Sequence, residues 1–234
     1  MGVVAGLDGC KNGWIAVYRI DDSSGSYSRI VADLEDLFVA IPDLSVVAID
    51  IPIGLTESGP RQCDVVARRT IGARRSSVFP APIRAVLDAP TYGDALRISR
   101  QCQNRGISKQ AFAICPKIEA IDKLLQSNRE LRDRVYEVHP EVCFWAWNGE
   151  ADLKHSKKTP DGHQERLRLV TSHFGEESFN RVRRDHSRGA VADDDILDAF
   201  AALWTAERIT SGVAVTLPEN KPLDSTGLPM RIVY

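Results

Sequence analysis

Two short apolar runs, Val4-Ala5-Gly6-Leu7 and Val47-Ala48-Ile49, each end on an aspartate, Asp8 and Asp50. Unbroken apolar runs of this length read as strands buried on both faces, in the middle of a sheet. A carboxylate at the end of such a strand is costly to bury unless it is paired, hydrogen-bonded or bound to a metal. One such aspartate alone reads as a turn former. Two on adjacent strands would sit side by side at one edge of the sheet, and there they define a candidate site.

The segments around these strands predict an α/β chain. After Asp8, Asn12-Gly13 supplies a tight turn, since both residues tolerate positive φ. Trp14 to Ile20 reads as the returning strand and Tyr27 to Val31 as a third. Leu34, Leu37, Phe38 and Ile41 have helical spacing, and Pro42 stops that helix before the strand Ser45 to Ile49. The order strand, strand, strand, helix, strand implies a hairpin and a fourth strand running parallel to the first. Residues 56 to about 132 then carry no convincing strand. Helices are predicted at 61–72, 93–105 and 116–128, around a Pro- and Arg-rich loop at 73–91. Val135 to Val138 reads as a fifth strand, followed by His139-Pro140, a Lys-rich loop, and helices near 161–173 and 176–184. Ile196, Leu197, Phe200, Leu203 and Trp204 form the apolar stripe of a long last helix ended by Gly212. Val213 to Leu217 and Arg231 to Tyr234 read as short terminal strands. The whole reads as one domain over 1–234, with 56–132 a helical insertion.

Composition removes several classes. No apolar run reaches the roughly 18 residues of a membrane helix, and the N-terminus lacks the basic segment of a signal peptide. Five cysteines, an odd number without CxxC spacing, argue for reduced thiols rather than a disulfide framework or zinc site. A cytoplasmic protein is expected. The net charge of −2 gives no global pull toward nucleic acid. Cations are instead concentrated locally, in Arg61, Arg68, Arg69, Arg74, Arg75 and Arg84, in Lys154, Lys157, Lys158, Arg166 and Arg168, and in Arg181, Arg183, Arg184 and Arg188.

A second acidic signal is Asp195-Ile196-Leu197-Asp198, whose i, i+3 spacing puts both carboxylates on one helix face. Asp193 and Asp194 read as capping and dipole residues. Asp198 lies beyond the first turn, beside the apolar stripe, where a cation would relieve like-charge repulsion. Asp8, Asp50 and Asp198 are therefore candidate metal ligands, with Asp195 and a third acid completing the set. That acid is Glu137, on the fifth strand, or Glu141 just after it, with Glu137 preferred. Oxygen-only ligands suit Mg2+ or Mn2+. Arg74-Arg75-Ser76-Ser77 and Ser156-Lys157-Lys158-Thr159 combine cations with hydroxyls, a composition that suits phosphate.

Seven ordered motifs then carry a resemblance. Asp8-Gly9-Cys10-Lys11-Asn12-Gly13-Trp14, Asp50-Ile51-Pro52-Ile53-Gly54-Leu55, Arg74-Arg75-Ser76-Ser77-Val78-Phe79-Pro80-Ala81-Pro82, Pro116-Lys117-Ile118, Glu137-Val138-His139-Pro140-Glu141, Ser156-Lys157-Lys158-Thr159 and Asp195-Ile196-Leu197-Asp198-Ala199 together resemble the domain of unknown function 429 family. Members are described as predicted nucleases. The resemblance implies a ribonuclease-H-like mixed five-stranded sheet flanked by helices, with the helical insertion following the fourth strand. Holliday-junction resolvases of this fold class are similar in bearing acids on the first strand, after the fourth, and at i, i+3 on the last helix, where Asp8, Asp50, Asp195 and Asp198 fall. Resolvases usually carry glutamate where Asp50 stands, one methylene shorter here.

The function expected on these grounds is metal-dependent cleavage of a nucleic-acid phosphodiester. Asp8, Asp50, Asp195, Asp198 and Glu137 would be catalytic, and Arg74, Arg75, Lys157 and Lys158 would hold substrate phosphates. The alternative is a small-molecule phosphotransferase or nucleotide-binding protein of the actin-like or sugar-kinase type. Asp8-Gly9 and its hairpin turn resemble the phosphate loop of those proteins, and the near-neutral charge suits a phosphorylated small molecule.

Overall fold

A computed structural model of the chain describes residues 2–20 and 25–234. The described elements run β1 (Val3–Cys10), β2 (Gly13–Arg19), β3 (Tyr27–Val31), α1 (Leu34–Ala40), β4 (Leu44–Ile49), α2 (Gln62–Thr70), α3 (Tyr92–Gln103), α4 (Lys109–Ala113), α5 (Cys115–Ser127) and α6 (Arg129–Arg132). They continue with β5 (Val135–Glu137), α7 (Pro140–Trp147), α8 (Pro160–Phe174), α9 (Ser178–Asp185), α10 (Asp193–Thr210), β6 (Thr216–Leu217) and β7 (Ile232–Val233). The chain divides into two compact units. The first is Met1–Asp50 with Arg134–Val215 and Val233–Tyr234, and the second is Ile51–Asp133 with Thr216–Ile232.

The first unit holds a mixed sheet of order β3-β2-β1-β4-β5. β1 pairs antiparallel with β2 and β2 with β3, whereas β4 runs parallel to β1 and β5 parallel to β4. Flanked by helices, this is the ribonuclease-H-like arrangement expected from the sequence. The β1–β2 turn is tighter than Asn12-Gly13 implied. Cys10 pairs with Gly13, so Lys11 and Asn12 form the loop, and Gly13 has φ of +126°.

Helix α10 is the buried axis of this unit, with every residue from Ile196 to Ala206 buried. Its backbone presses directly on β1. A Cβ built on Gly6 would lie 2.0 Å from the Leu203 backbone nitrogen and 2.3 Å from the Ala199 carbonyl oxygen. Only glycine permits that approach. Side chains alternate across a strand, so the helix-facing side of β1 also carries Asp8.

The second unit contains the expected insertion and a further segment near the C-terminus. Ile83, Val86, Ala95, Ile107, Ala111 and Cys115 form an apolar cluster in it. Asp224 anchors the C-terminal segment to the insertion. Its fully buried carboxylate accepts hydrogen bonds from the Leu55 and Leu228 backbone N–H groups at 2.9 Å and pairs with Arg84, which also forks onto Asp122 at 2.9 and 3.0 Å. Charge-assisted contacts of this kind repay the burial of an acid only when its remaining lone pairs are also satisfied, as they are here.

The terminal strands are shorter than expected, because Val213 to Val215 precede β6 rather than joining it. No two of Cys10, Cys63, Cys102, Cys115 and Cys143 are joined in a disulfide. No helix among the described residues is long and apolar enough to cross a membrane.

Candidate functional site: an acidic cluster on the first unit

Register brings the strand-end aspartates together. Leu7 pairs with Ile49 across the parallel β1–β4 ladder. The Asp50 N–H continues that ladder by donating to the Leu7 carbonyl at 3.0 Å. Asp8 and Asp50 are thus neighbours one step further on, at the same strand ends. Both fall on the face shared with Gly6 and Ala48, the face toward α10. Glu137 pairs with Ile49 instead, one step short of Asp50, and its alternation places it on the opposite face. It is buried and close enough for its charge to act on Asp50.

The first turns of α10 supply the other acids, each with a different task. Asp193 is tied to Arg183 at 2.8 Å and Arg188 at 2.5 Å, which holds its carboxyl below the ordinary range. Asp195 accepts from the Ala192 N–H at 3.0 Å, closing the start of the helix. Asp198 is 4% exposed. One of its oxygens, Oδ2, receives the Lys157 ammonium at 2.8 Å. The other, Oδ1, is buried without a hydrogen-bond partner among the described residues. A buried carboxylate oxygen so placed costs about 1–3 kcal/mol or more unless something binds it.

The electrostatics follow from this crowding. Burial is the largest cause raising Asp8 well above the usual carboxylate range, followed by the charges of Asp198, Asp50 and Asp195, while a hydrogen bond from the Gly9 N–H opposes them. Asp50 is pushed up to about 8 by burial and by Asp198, with Lys157 opposing and Glu137 adding a smaller push. Burial also raises Asp198 despite its contact with Lys157. The neighbouring carboxylates, Asp198 foremost, hold the Lys157 ammonium well above its ordinary range. Three acids that resist ionisation around one ammonium form a site short of positive charge.

Two features nearby were not foreseen from the sequence. Glu141, the other candidate third acid, is consumed by a buried ion pair with Arg166 at 2.5 Å, and the guanidinium lies 5.4 Å over the Phe144 ring. Glu141 and Phe144 stand on α7, a helix that no apolar stripe in the sequence marks. Cys143 is fully buried, receives the Thr205 hydroxyl at 3.2 Å, and has its thiol raised to about 12 by burial.

The cationic candidates divide between the units. Lys157 and Lys158 belong to the first, Lys157 in contact with Asp198 and Lys158 exposed. Arg74 and Arg75 belong to the second, at the end of a short 3-10 turn, Gly72–Arg74, with Arg75 exposed. In the third basic stretch, Arg183 and Arg188 are occupied by Asp193 and Arg184 by Glu177. Among the described residues, no group of three or more His, Cys, Asp or Glu side chains stands as a ready-made metal ligand set.

The family described as Protein of unknown function (DUF429) matches residues 6–222, a span that includes every carboxylate of the cluster, and the chain belongs to that family. No curated protein and no solved structure matches the chain.

Proposed function

We propose, with that family membership as the premise, that the first unit carries a metal-dependent phosphodiesterase site acting on nucleic acid. The reading rests on the orphaned Oδ1 of Asp198, a buried oxygen without a hydrogen-bond partner among the described residues, in a cluster where Asp8, Asp50 and Asp198 are held short of ionisation. The donors are hard carboxylate oxygens, so the fit is to Mg2+ or Mn2+. Asp8, Asp50 and Asp198 would hold the ion, and Asp195 would keep the N-terminus of α10 in place beneath them. A bound ion of this class supplies an activated water and charge stabilisation for the leaving oxygen. Because the carboxylates are raised, they would shed protons on binding it, and the site would gain affinity as pH rises. Lys157 and Lys158, on the same unit, are the candidates for flanking phosphates. That the acids come from three separate places, β1, the end of β4 and α10, favours a site over a chance cluster on one helix.

The near-neutral net charge favours the second reading, a phosphotransferase or nucleotide site of the sugar-kinase type. One set of measurements separates the two. Purified protein is incubated with single- and double-stranded DNA and RNA and with a nucleoside triphosphate, each with EDTA, Mg2+ or Mn2+. Metal-dependent chain cleavage that Asp8→Asn and Asp198→Asn both abolish supports the nuclease. For the parent, log affinity for duplex DNA should fall with log salt at a slope near −0.9 per phosphate contact. Substituting Lys158 by Gln should remove one contact and flatten that slope by about one. Nucleotide turnover with a shallow salt response would transfer the site to the second reading, and no turnover of any substrate would remove the first.

A further inference from the structure

The cluster already contains one cation. Lys157 Nζ sits 2.8 Å from Asp198 Oδ2, and its charge reaches Asp8 and Asp50 as well. Its hydrogen bond goes to Asp198, one of the acids of the proposed site. Yet the lysine is not locked in. Its side chain is 37% exposed against 6% for that of Asp198, so the ammonium stands between the buried acids and solvent.

The backbone beneath that side chain is pinned. Thr159 caps α8 by accepting from the Gly162 N–H at 3.1 Å, and its own hydroxyl donates to the Ser156 carbonyl at 2.8 Å. The Ser156 carbonyl also lies so close to Gly162 that a Cβ there would meet it at 1.9 Å. Arg166 fastens this turn from below, donating to the Gly162 carbonyl at 2.9 Å while pairing with Glu141. His155 is held to Glu165 by its backbone N–H and its ring, both at 2.9 Å. A fixed loop therefore presents one movable cation to the cluster.

We propose that Lys157 is a resident counter-cation, which a divalent metal must displace from Asp198 when it enters. The inference rests on the metal-site reading above and adds a competitor to it. A metal ion drawn to Oδ1 of Asp198 would come within a few ångströms of the ammonium held on Oδ2, and like charges that close in a partly buried site repel strongly. The displaced ammonium lies at the rim of the same acids, where a phosphate oxygen is its natural next partner.

The test uses Mn2+ alone as probe, with the full chain. Affinity is measured by titration calorimetry for the parent, Lys157→Gln and Lys157→Arg. In parallel, acetylation of Lys157 in the parent by an amine-reactive ester is followed by mass spectrometry, with exposed Lys158 as internal control. Lys157→Gln should bind Mn2+ at least about tenfold more tightly, as expected for removing one competing charge, and Lys157→Arg should stay near the parent. Saturating Mn2+ should accelerate acetylation of Lys157 severalfold and leave Lys158 unchanged. Equal or weaker binding by a folded Lys157→Gln overturns the displacement while leaving the metal site standing. So does a Lys157 acetylation rate that Mn2+ does not change, a readout that needs no variant to fold. If neither parent nor variant binds Mn2+, the metal-site reading fails and the displacement fails with it.

Discussion

Replacing Asp50 by asparagine gives a quantitative account of what the acidic cluster costs. The folded protein holds the Asp50 proton up to about pH 8, whereas an unperturbed aspartate releases it near 3.8. Between those values the folded state binds a proton that the unfolded chain has lost. Stability without metal must therefore fall as pH rises through this window, by at most about 1.4 kcal/mol per pH unit. From pH 5 to pH 7 the ceiling is about 3 kcal/mol, and sharing of protons with Asp8 and Asp198 lowers the amount that belongs to Asp50 alone. Asparagine has the shape of the protonated acid and does not titrate. Asp50→Asn should match the parent near pH 4 and exceed it by about 1–2 kcal/mol at pH 7, or roughly 2–8 °C in melting temperature for a domain of this size. Denaturant unfolding in EDTA, at half-unit steps from pH 4.5 to 8, measures the difference directly. The argument fails if the two stability curves run parallel across that range, or if the variant is the weaker protein at pH 7. Adding Mn2+ should reverse the ranking, since a hundredfold excess over the dissociation constant stabilises a binding protein by about 2.7 kcal/mol and the variant has lost a ligand.

Two packing predictions complete the set. Gly6→Ala puts a methyl group into the backbone of α10 and should cost about 3 kcal/mol or more, at the upper end for overpacking, read as loss of soluble protein or a lowered unfolding midpoint. Arg166→Met strands the buried Glu141 carboxylate and should cost about 3–5 kcal/mol; the double variant with Glu141→Gln should recover much of it, so a strictly additive double mutant would show that the pair is uncoupled.

The sheet was legible because its evidence is local. Apolar runs with abrupt polar ends mark β1 and β4, and the alternating, turn-bounded stretches between them mark the hairpin. The ends of α3, α5 and α8 fell within a residue or two of expectation, since Thr91 and Thr159 are capping residues and Pro116 and Pro160 stand at helix starts. Helix α7 escaped for the opposite reason. Pro-Glu-Val-Cys-Phe-Trp-Ala-Trp has apolar residues on every side, so it shows no 3.6-residue stripe. The acids Asp8, Asp50 and Asp198 were readable from strand ends and helix spacing, but their partners were not. Nothing in Ser-Lys-Lys-Thr says that the first lysine meets an aspartate 41 residues away, and nothing near Glu141 announces Arg166. Contacts of that range depend on how helices dock, which spacing along the chain does not encode. The reach of the C-terminal segment into the second unit was hidden likewise, because it depends on Asp224 finding Arg84 across 140 residues.

The seat that Gly6 makes for α10 also sets when the site can come into being. The β1–β2 hairpin spans Val3–Arg19, but the helix that lies on it, Asp193–Thr210, is made much later. Asp8 and Asp50 therefore wait, with their strands' helix-facing side uncovered, while the intervening chain is made. Contacts so distant in sequence form slowly, and an uncovered apolar sheet is open to wrong partners in the interval. The delay has one benefit for a cluster of like charges. The acids are not forced together until the helix carrying Asp198 docks, and by then the loop bearing Lys157, which precedes that helix in the sequence, has already been synthesised.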